Sequence, residues 1–65
     1  MMLYTADLEI RFENGSTGAK QFQSTNKTFL EQEVFDFLKG VIDYARAKQK
    51  NLVTGHTISI KDHLV

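Results

Sequence analysis

Residues 4–13 read YTADLEIRFE, a stretch in which apolar and polar side chains alternate without a break. A period of two places every second side chain on the same face of a β-strand, so one face is buried and the other is in water. Asn14-Gly15 follows directly and is a strong signal for a hairpin turn. The stretch therefore predicts the first strand of a hairpin, over about residues 3–13.

The second strand of the hairpin is predicted over about residues 19–25. Phe22 supplies its inward apolar side chain, and most of its other residues are polar. Such a composition is typical of an edge strand. Lys20 and Lys27 then discourage pairing with the edge of another sheet.

A long helix is predicted over about residues 29–50, with Thr28 and Glu31 forming a capping box at its start. Asn51 is expected to end it in the left-handed conformation. At 100° per residue, one stripe of the helix is apolar and contains Leu30, Val34, Phe37, Leu38, Val41 and Ala45. Tyr44 lies at one margin of this stripe, and Phe35 and Ile42 lie at the other.

A third strand is predicted over about residues 57–64, after a turn at Thr54-Gly55. Ile58, Ile60 and Leu64 share one face, while Asp62 places a charge in that row, as edge strands often do. The chain is therefore expected to form one α+β domain, residues 1–65, of order β-β-α-β. The simplest arrangement is a three-stranded antiparallel sheet in the order 2-1-3, with the helix packed on one face.

Composition excludes several classes of function. The 65 residues include no cysteine and only two histidines, so disulfides and thiolate metal sites are ruled out, and no cofactor is expected. Eight basic and eight acidic residues balance, which argues against a protein that mainly neutralises phosphates. Neither a secretion signal nor an apolar run of membrane-spanning length is visible. These features favour a cytoplasmic protein.

No catalytic constellation is visible in the sequence. His56 and His63 match no metal-ligand spacing, and Asp7, Glu9 and Glu13 are expected on the solvated face of the first strand. The glycines at 15 and 18 lead into a strand rather than a helix, so they do not form a phosphate-binding loop. The sequence therefore predicts a non-enzymatic protein.

The apolar arc of the helix is wider than a three-stranded sheet requires, about 180° against a little over 100°. A single core of this size rarely contributes more than about 3–5 kcal/mol, so a second subunit would stabilise it. The sequence therefore suggests a homodimer that binds and modulates a larger protein. The candidate interface residues are Phe35, Ile42, Leu38 and Ile60. The alternative is that the sheet curls around the helix and covers Phe35 and Ile42 within one chain.

A second hypothesis is a regulator that contacts nucleic acid. Its candidate phosphate-contacting residues are Lys20, Lys27, Arg46, Lys48 and Lys50. No exposed aromatic side chains are expected among them, although platforms for single-stranded nucleic acid use such side chains. Basic residues in a last helical turn are also what the helix dipole favours.

The β-β-α-β order resembles that of the antitoxin half of HicAB-type toxin pairs. It is also similar to short phage proteins that inhibit host RNA polymerase or uracil-DNA glycosylase. This resemblance is one of topology and implies an inhibitor, adaptor or antitoxin-like role. The chain departs from these families in having no proline between the second strand and the helix, and no excess of negative charge.

Overall fold

The computed structural model describes residues 1–65 and contains four elements. Strand β1 spans Met2–Phe12, β2 spans Thr17–Ser24, helix α1 spans Lys27–Lys48, and β3 spans Val53–Leu64. The strands form one antiparallel sheet in the order β2-β1-β3. The predicted α+β class, the order of elements and the order of strands are all confirmed.

The strand register divides the sheet into two faces. Ala6 of β1 lies opposite Phe22 on β2 and Ile60 on β3. Directly paired residues point to the same side, so the even-numbered side chains of β2 and β3 join those of β1 beneath the helix. We call this side the helix face and the opposite side the open face. The core consists of apolar residues of β1 and α1, namely Ala6, Leu8, Ile10, Leu30, Val34 and Leu38.

The β1–β2 hairpin turns where the Asn14-Gly15 pair predicts it. Gly15 has a φ of 87°, a left-handed conformation that glycine adopts without steric penalty. The Asn14 side-chain oxygen accepts hydrogen bonds from the Ser16 backbone nitrogen at 2.9 Å and from Ser16 Oγ. These local bonds hold the loop and set the register of the two strands.

Helix α1 begins and ends about two residues earlier than predicted. Its N-cap is Asn26, whose side-chain oxygen accepts a hydrogen bond from the Phe29 nitrogen at 3.0 Å, so the Thr28–Glu31 capping box is wrong. Asparagine is among the best N-cap residues, and Ser24 Oγ holds the Asn26 nitrogen at 3.0 Å. The helix ends at Gln49, which has a φ of 54°. Asn51 also has a left-handed φ, of 51°, but it lies in the following loop.

Strand β3 begins at Val53, so the predicted turn at Thr54-Gly55 is wrong. Val53 pairs with Phe12 after a register shift between Arg11 and Phe12, where Thr54 of β3 is the extra residue that has no partner on β1. The Glu13 nitrogen then donates to the Leu52 carbonyl at 2.9 Å. Because β1 is long enough to pair with these residues, the backbone of the Thr54-Gly55 segment is drawn into the sheet rather than turning.

The molecule is thin and elongated for its length. Its radius of gyration is 13.3 Å, whereas a compact domain of this size would have about 11 Å. Its accessible surface is 4677 Å², against about 4,200 Å² for a typical monomer of this mass. Only eight of the 65 residues are buried. The helix lies closer to β1 and β2 than to β3. The helix face of β3 is therefore the least covered part of the sheet.

Candidate interaction surface

An apolar strip runs between α1 and β3. We call it the β3-side strip and define it by Phe35, Ile42, Leu52, Ile58 and Ile60. Phe35 is 62% exposed and Ile60 is 36% exposed. Together with Val34, Ile58 and one charged residue, Glu31, they line a shallow hollow of about 190 Å³. Large apolar side chains that lie side by side at the surface typically mark an interaction site.

The four candidate interface residues do not lie in equivalent positions. Leu38 is 4% exposed and belongs to the core, so it takes no part in the surface. Ile42 is half-buried against the core and lines a hollow with Leu52 and Val53. Phe35 and Ile60 are the members that face solvent. The sheet therefore covers Ile42 in part but does not curl far enough to cover Phe35.

The free edge of β3 lies beside this strip. The Val65 nitrogen donates a hydrogen bond to the Met1 carbonyl at 2.8 Å, and the Met1 amino group donates one to the Val65 carbonyl at 3.1 Å. Hydrogen-bonded and non-bonded pairs alternate along an antiparallel ladder, so the odd-numbered residues of β3 point their backbone groups at β1. The even-numbered residues present theirs outward. The edge therefore offers outward N–H and C=O groups from His56, Ile58, Ile60 and Asp62, residues whose side chains lie on the helix face. Of these groups, the His56 carbonyl already accepts a hydrogen bond from Arg11.

The free edge of β2 is chemically different. Lys20 points its side chain to the helix face, where its Nζ lies 4.7 Å from the centre of the Phe37 ring and 5.6 Å from that of Phe22. A charge on the inner side of an edge strand opposes pairing with another apolar edge. The middle of β3 has Ile58 and Ile60 at the corresponding positions. On β3 the inward charge is Asp62, near the end of the strand, so the middle of the β3 edge is the part without this protection.

The five candidate phosphate-contacting residues are not brought together. Lys27 opens α1 and Lys48 closes it, so about 31 Å of helix separates them. Arg46 lies beside Ile42 on the β3 side. Lys48 and Lys50 line a hollow with Phe12 and Tyr44. Only Arg46, Lys48 and Lys50, at the carboxyl end of the helix, lie near one another.

Aromatic side chains do accompany these lysines, contrary to the sequence-based expectation. Tyr44 is 67% exposed, and Lys48 Nζ lies 5.5 Å from the centre of its ring. Their spacing of four residues places both on one helix surface, a signal that was visible in the sequence. The spacing of Lys20 and Phe22 likewise predicts that their side chains are neighbours, since residues two apart on a strand share a face. A cation over an aromatic ring is an attractive pair.

The open face is polar. Asp7 accepts a hydrogen bond from the Gln21 amide at 3.0 Å, and Arg11 forms an ion pair with Glu9 at 3.3 Å. These groups are exposed, so each contact contributes about 0–1 kcal/mol. No three His, Asp or Glu side chains lie close enough together to hold a metal ion. His56 and His63 are exposed and lie on opposite faces of β3.

Helix α1 does not combine the length and the apolar character needed to cross a bilayer. Comparison of the chain with protein-family models, with curated proteins and with solved structures gave no match.

Proposed function

We propose that this chain is a non-enzymatic protein-interaction module that acts as a homodimer and binds and modulates a larger protein. The observation that supports it best is the exposed pair Phe35 and Ile60 beside the free edge of β3. Burying them in a second copy would remove apolar surface from water, at about 25 cal/mol per Å². The cysteine-free composition suits the reducing cytoplasm, where we place the protein.

The small core adds a second line of support. The chain buries few residues and exposes more surface than a compact domain of its mass. The helix and the three strands bury little of one another's apolar surface, so a partner that covers this surface stabilises the fold. A second copy of the chain is always present at the same concentration as the first. The inhibitor or adaptor role implied by the topological resemblance is compatible with such a module.

Sedimentation velocity of the wild-type chain and of Phe35→Glu tests the homodimer. We expect a concentration-dependent dimer for wild type and a folded monomer for Phe35→Glu, because a carboxylate would have to be buried in the interface. Phe29→Glu is the matched control. Phe29 lies on the same helix with similar exposure, 57%, but outside the β3-side strip. A wild-type chain that sediments as a monomer at all concentrations overturns the homodimer.

Binding of a larger protein requires a separate measurement. The wild-type chain and Phe35→Glu, each immobilised, would be used to capture proteins from a lysate of the source organism. One protein retained at stoichiometric amount by the wild type and confirmed by titration with the purified partner supports the modulating role. Retention of nothing beyond a bead control contradicts it.

A second candidate function is nucleic-acid contact by the carboxyl end of α1. The exposed Tyr44 ring beside Lys48 Nζ favours it, because base stacking and phosphate contact often occur together in single-strand platforms. Titration of a fluorescent mixed-sequence single strand at low salt tests it. We expect Tyr44→Ala to weaken binding more than Phe29→Ala, which removes another exposed aromatic ring of α1, and binding to fall steeply with added salt. Absence of binding by the wild type excludes it.

A further inference from the structure

We infer that two copies of this chain join through their β3 strands in one particular antiparallel register, with the two-fold axis at Ser59. This inference rests on the homodimer proposed above and specifies its geometry. Pairing across that axis would extend the sheet from three strands to six. The axis would stand perpendicular to the sheet, so both helices would lie on the same side.

The possible registers are restricted by which residues of β3, even-numbered or odd-numbered, point their backbone N–H and C=O groups outward; we call this the hydrogen-bond parity of the strand. The outward backbone groups of β3 belong to its even-numbered residues, as the Met1–Val65 pair establishes. Two such edges bond only when even residues face even residues and odd residues face odd. Half of all registers are thereby excluded. Near-complete overlap of two strands spanning Val53–Leu64 leaves an axis at Ile58 or at Ser59.

Side-chain complementarity distinguishes these two registers. With the axis at Ser59, Ile58 faces Ile60 of the second copy, and the reciprocal pair forms by symmetry. Asp62 then faces His56 of the second copy, a carboxylate opposite an imidazole at each end of the interface. With the axis at Ile58, Ile60 faces His56 and Asp62 faces Thr54. Apolar cross-strand pairs stabilise a sheet, and a carboxylate opposite an imidazole can accept a hydrogen bond from its ring N–H, whereas mismatched pairs gain neither. The axis at Ile58 does pair Ile58 with itself, but it leaves Ile60 and Asp62 mismatched. The axis at Ser59 matches Ile58, Ile60, His56 and Asp62 and leaves only Thr54 opposite Leu64.

An axis at Ile60 is less favourable still. It would place Asp62 directly opposite Ile58 and would shorten the overlap of the strands. The β2 edge offers no comparable fit, because Lys20 would have to enter the interface on the helix face. The charge of Asp62, which isolates an edge strand when unpaired, becomes a register-selecting contact when His56 of a second copy faces it.

This geometry leaves a valley between the two helices. Three inter-strand spacings, about 14 Å, would separate the two β1 strands, so helices lying over them exceed the 8–10 Å of direct helix packing. Four isoleucines, two from each copy, would form the floor. Phe35, which lines the hollow beside Ile58 and Ile60, would extend over that floor from each helix. Each Phe35 would thereby be buried against the isoleucines of both copies, as the homodimer proposed above requires.

Single cysteines introduced on the open face test the register, since the chain has no cysteine of its own. Ser59 would face itself in a non-hydrogen-bonded pair, with Cα atoms about 4.5 Å apart, within the range for a disulfide. Ser59→Cys should therefore become mostly a disulfide-linked dimer under mild oxidation, as seen on a non-reducing gel. Thr57→Cys and Lys61→Cys should each remain unlinked, because their like residues would lie about 13 Å apart. An equimolar mixture of Thr57→Cys and Lys61→Cys should cross-link.

The outcomes separate the register from the homodimer itself. Sedimentation of each variant under reducing conditions reports whether the chain dimerises at all. A dimer in which Thr57→Cys or Lys61→Cys links to itself, or in which Ser59→Cys does not link, overturns the register and leaves the homodimer intact. Linking in a mixture of Thr57→Cys and Ser59→Cys that exceeds the self-linking of Ser59→Cys identifies the axis at Ile58. A reduced chain that is monomeric overturns both.

Discussion

The side chain of Arg11 lies across Gly55 on the neighbouring strand, with its Nη2 atom 2.8 Å from the point where a Cβ of residue 55 would stand. From this position Nη1 donates to Thr57 Oγ1 at 2.9 Å and Nη2 donates to the His56 carbonyl at 3.3 Å. That carbonyl belongs to the free edge of β3 and has a second lone pair for a partner strand. The absence of a side chain at Gly55 is what allows Arg11 to reach that edge.

Gly55→Ala should displace the Arg11 guanidinium and lower the free energy of unfolding by about 0.5–1 kcal/mol, the range expected for losing its exposed contacts. In an Arg11→Ala background the same change should be neutral or slightly stabilising, because alanine is less flexible than glycine in a strand. Urea denaturation of the four chains of this double-mutant cycle measures the coupling. Equal effects of Gly55→Ala in both backgrounds would show that the two residues are not coupled.

Asn26→Ala should destabilise the chain by about 1 kcal/mol, since it removes the acceptor for the Phe29 nitrogen at the start of α1. Thr28→Ala is the matched control. Thr28 lies inside the helix, and its change should stay within about 0.5 kcal/mol of wild type. Thermal unfolding followed by circular dichroism at a fixed protein concentration checks both. A larger effect at Thr28 than at Asn26 would place the cap where the sequence alone suggested.

The parts of the fold that the sequence predicts are those governed by periodicity. The alternation that begins at Tyr4 and the helical stripe around Leu38 are local patterns, and both appear in the structure. Thr5 is the exception, since it is buried although the alternation places it in water, and β1 ends at Phe12. The ends of the elements depend on competition between neighbours instead. Asn26 and Thr28 are both acceptable N-caps, and the bond from the Asn26 nitrogen to Ser24 favours the first.

The candidate surface was only partly predictable for a related reason. The width of the apolar arc identifies Phe35 and Ile42 as margin residues, but it does not say how far the sheet reaches around each of them. The structure shows Ile42 half-covered and Phe35 exposed because the helix lies nearer β1 and β2. The outward direction of the backbone groups at Ile58 depends on hydrogen-bond parity, and no residue pattern encodes that.

Ile42→Glu should destabilise the monomer fold itself, because Ile42 packs against the core and a charge there would lack a partner. Phe35→Glu, on the same margin, should change the unfolding free energy of the monomer by about 0.5 kcal/mol or less. Urea denaturation of both variants at a concentration where the wild type is monomeric makes the comparison. A folded Ile42→Glu monomer as stable as Phe35→Glu would mean that Ile42 is a surface residue.

Lys20→Val should convert the β2 edge into a second association site, since Lys20 is the charge that shields the apolar inner side of that strand. A dimer joined through β3 exposes one β2 edge at each end. Pairing of those edges would then continue from dimer to dimer and produce open-ended assemblies. Sedimentation should show species much larger than a dimer for Lys20→Val and none for Lys27→Val, which removes a lysine at the start of the helix. The double variant Lys20→Val, Phe35→Glu should form only dimers joined through β2, because Phe35→Glu prevents association through β3. A Lys20→Val chain that assembles no further than wild type would mean that this lysine does not protect the edge.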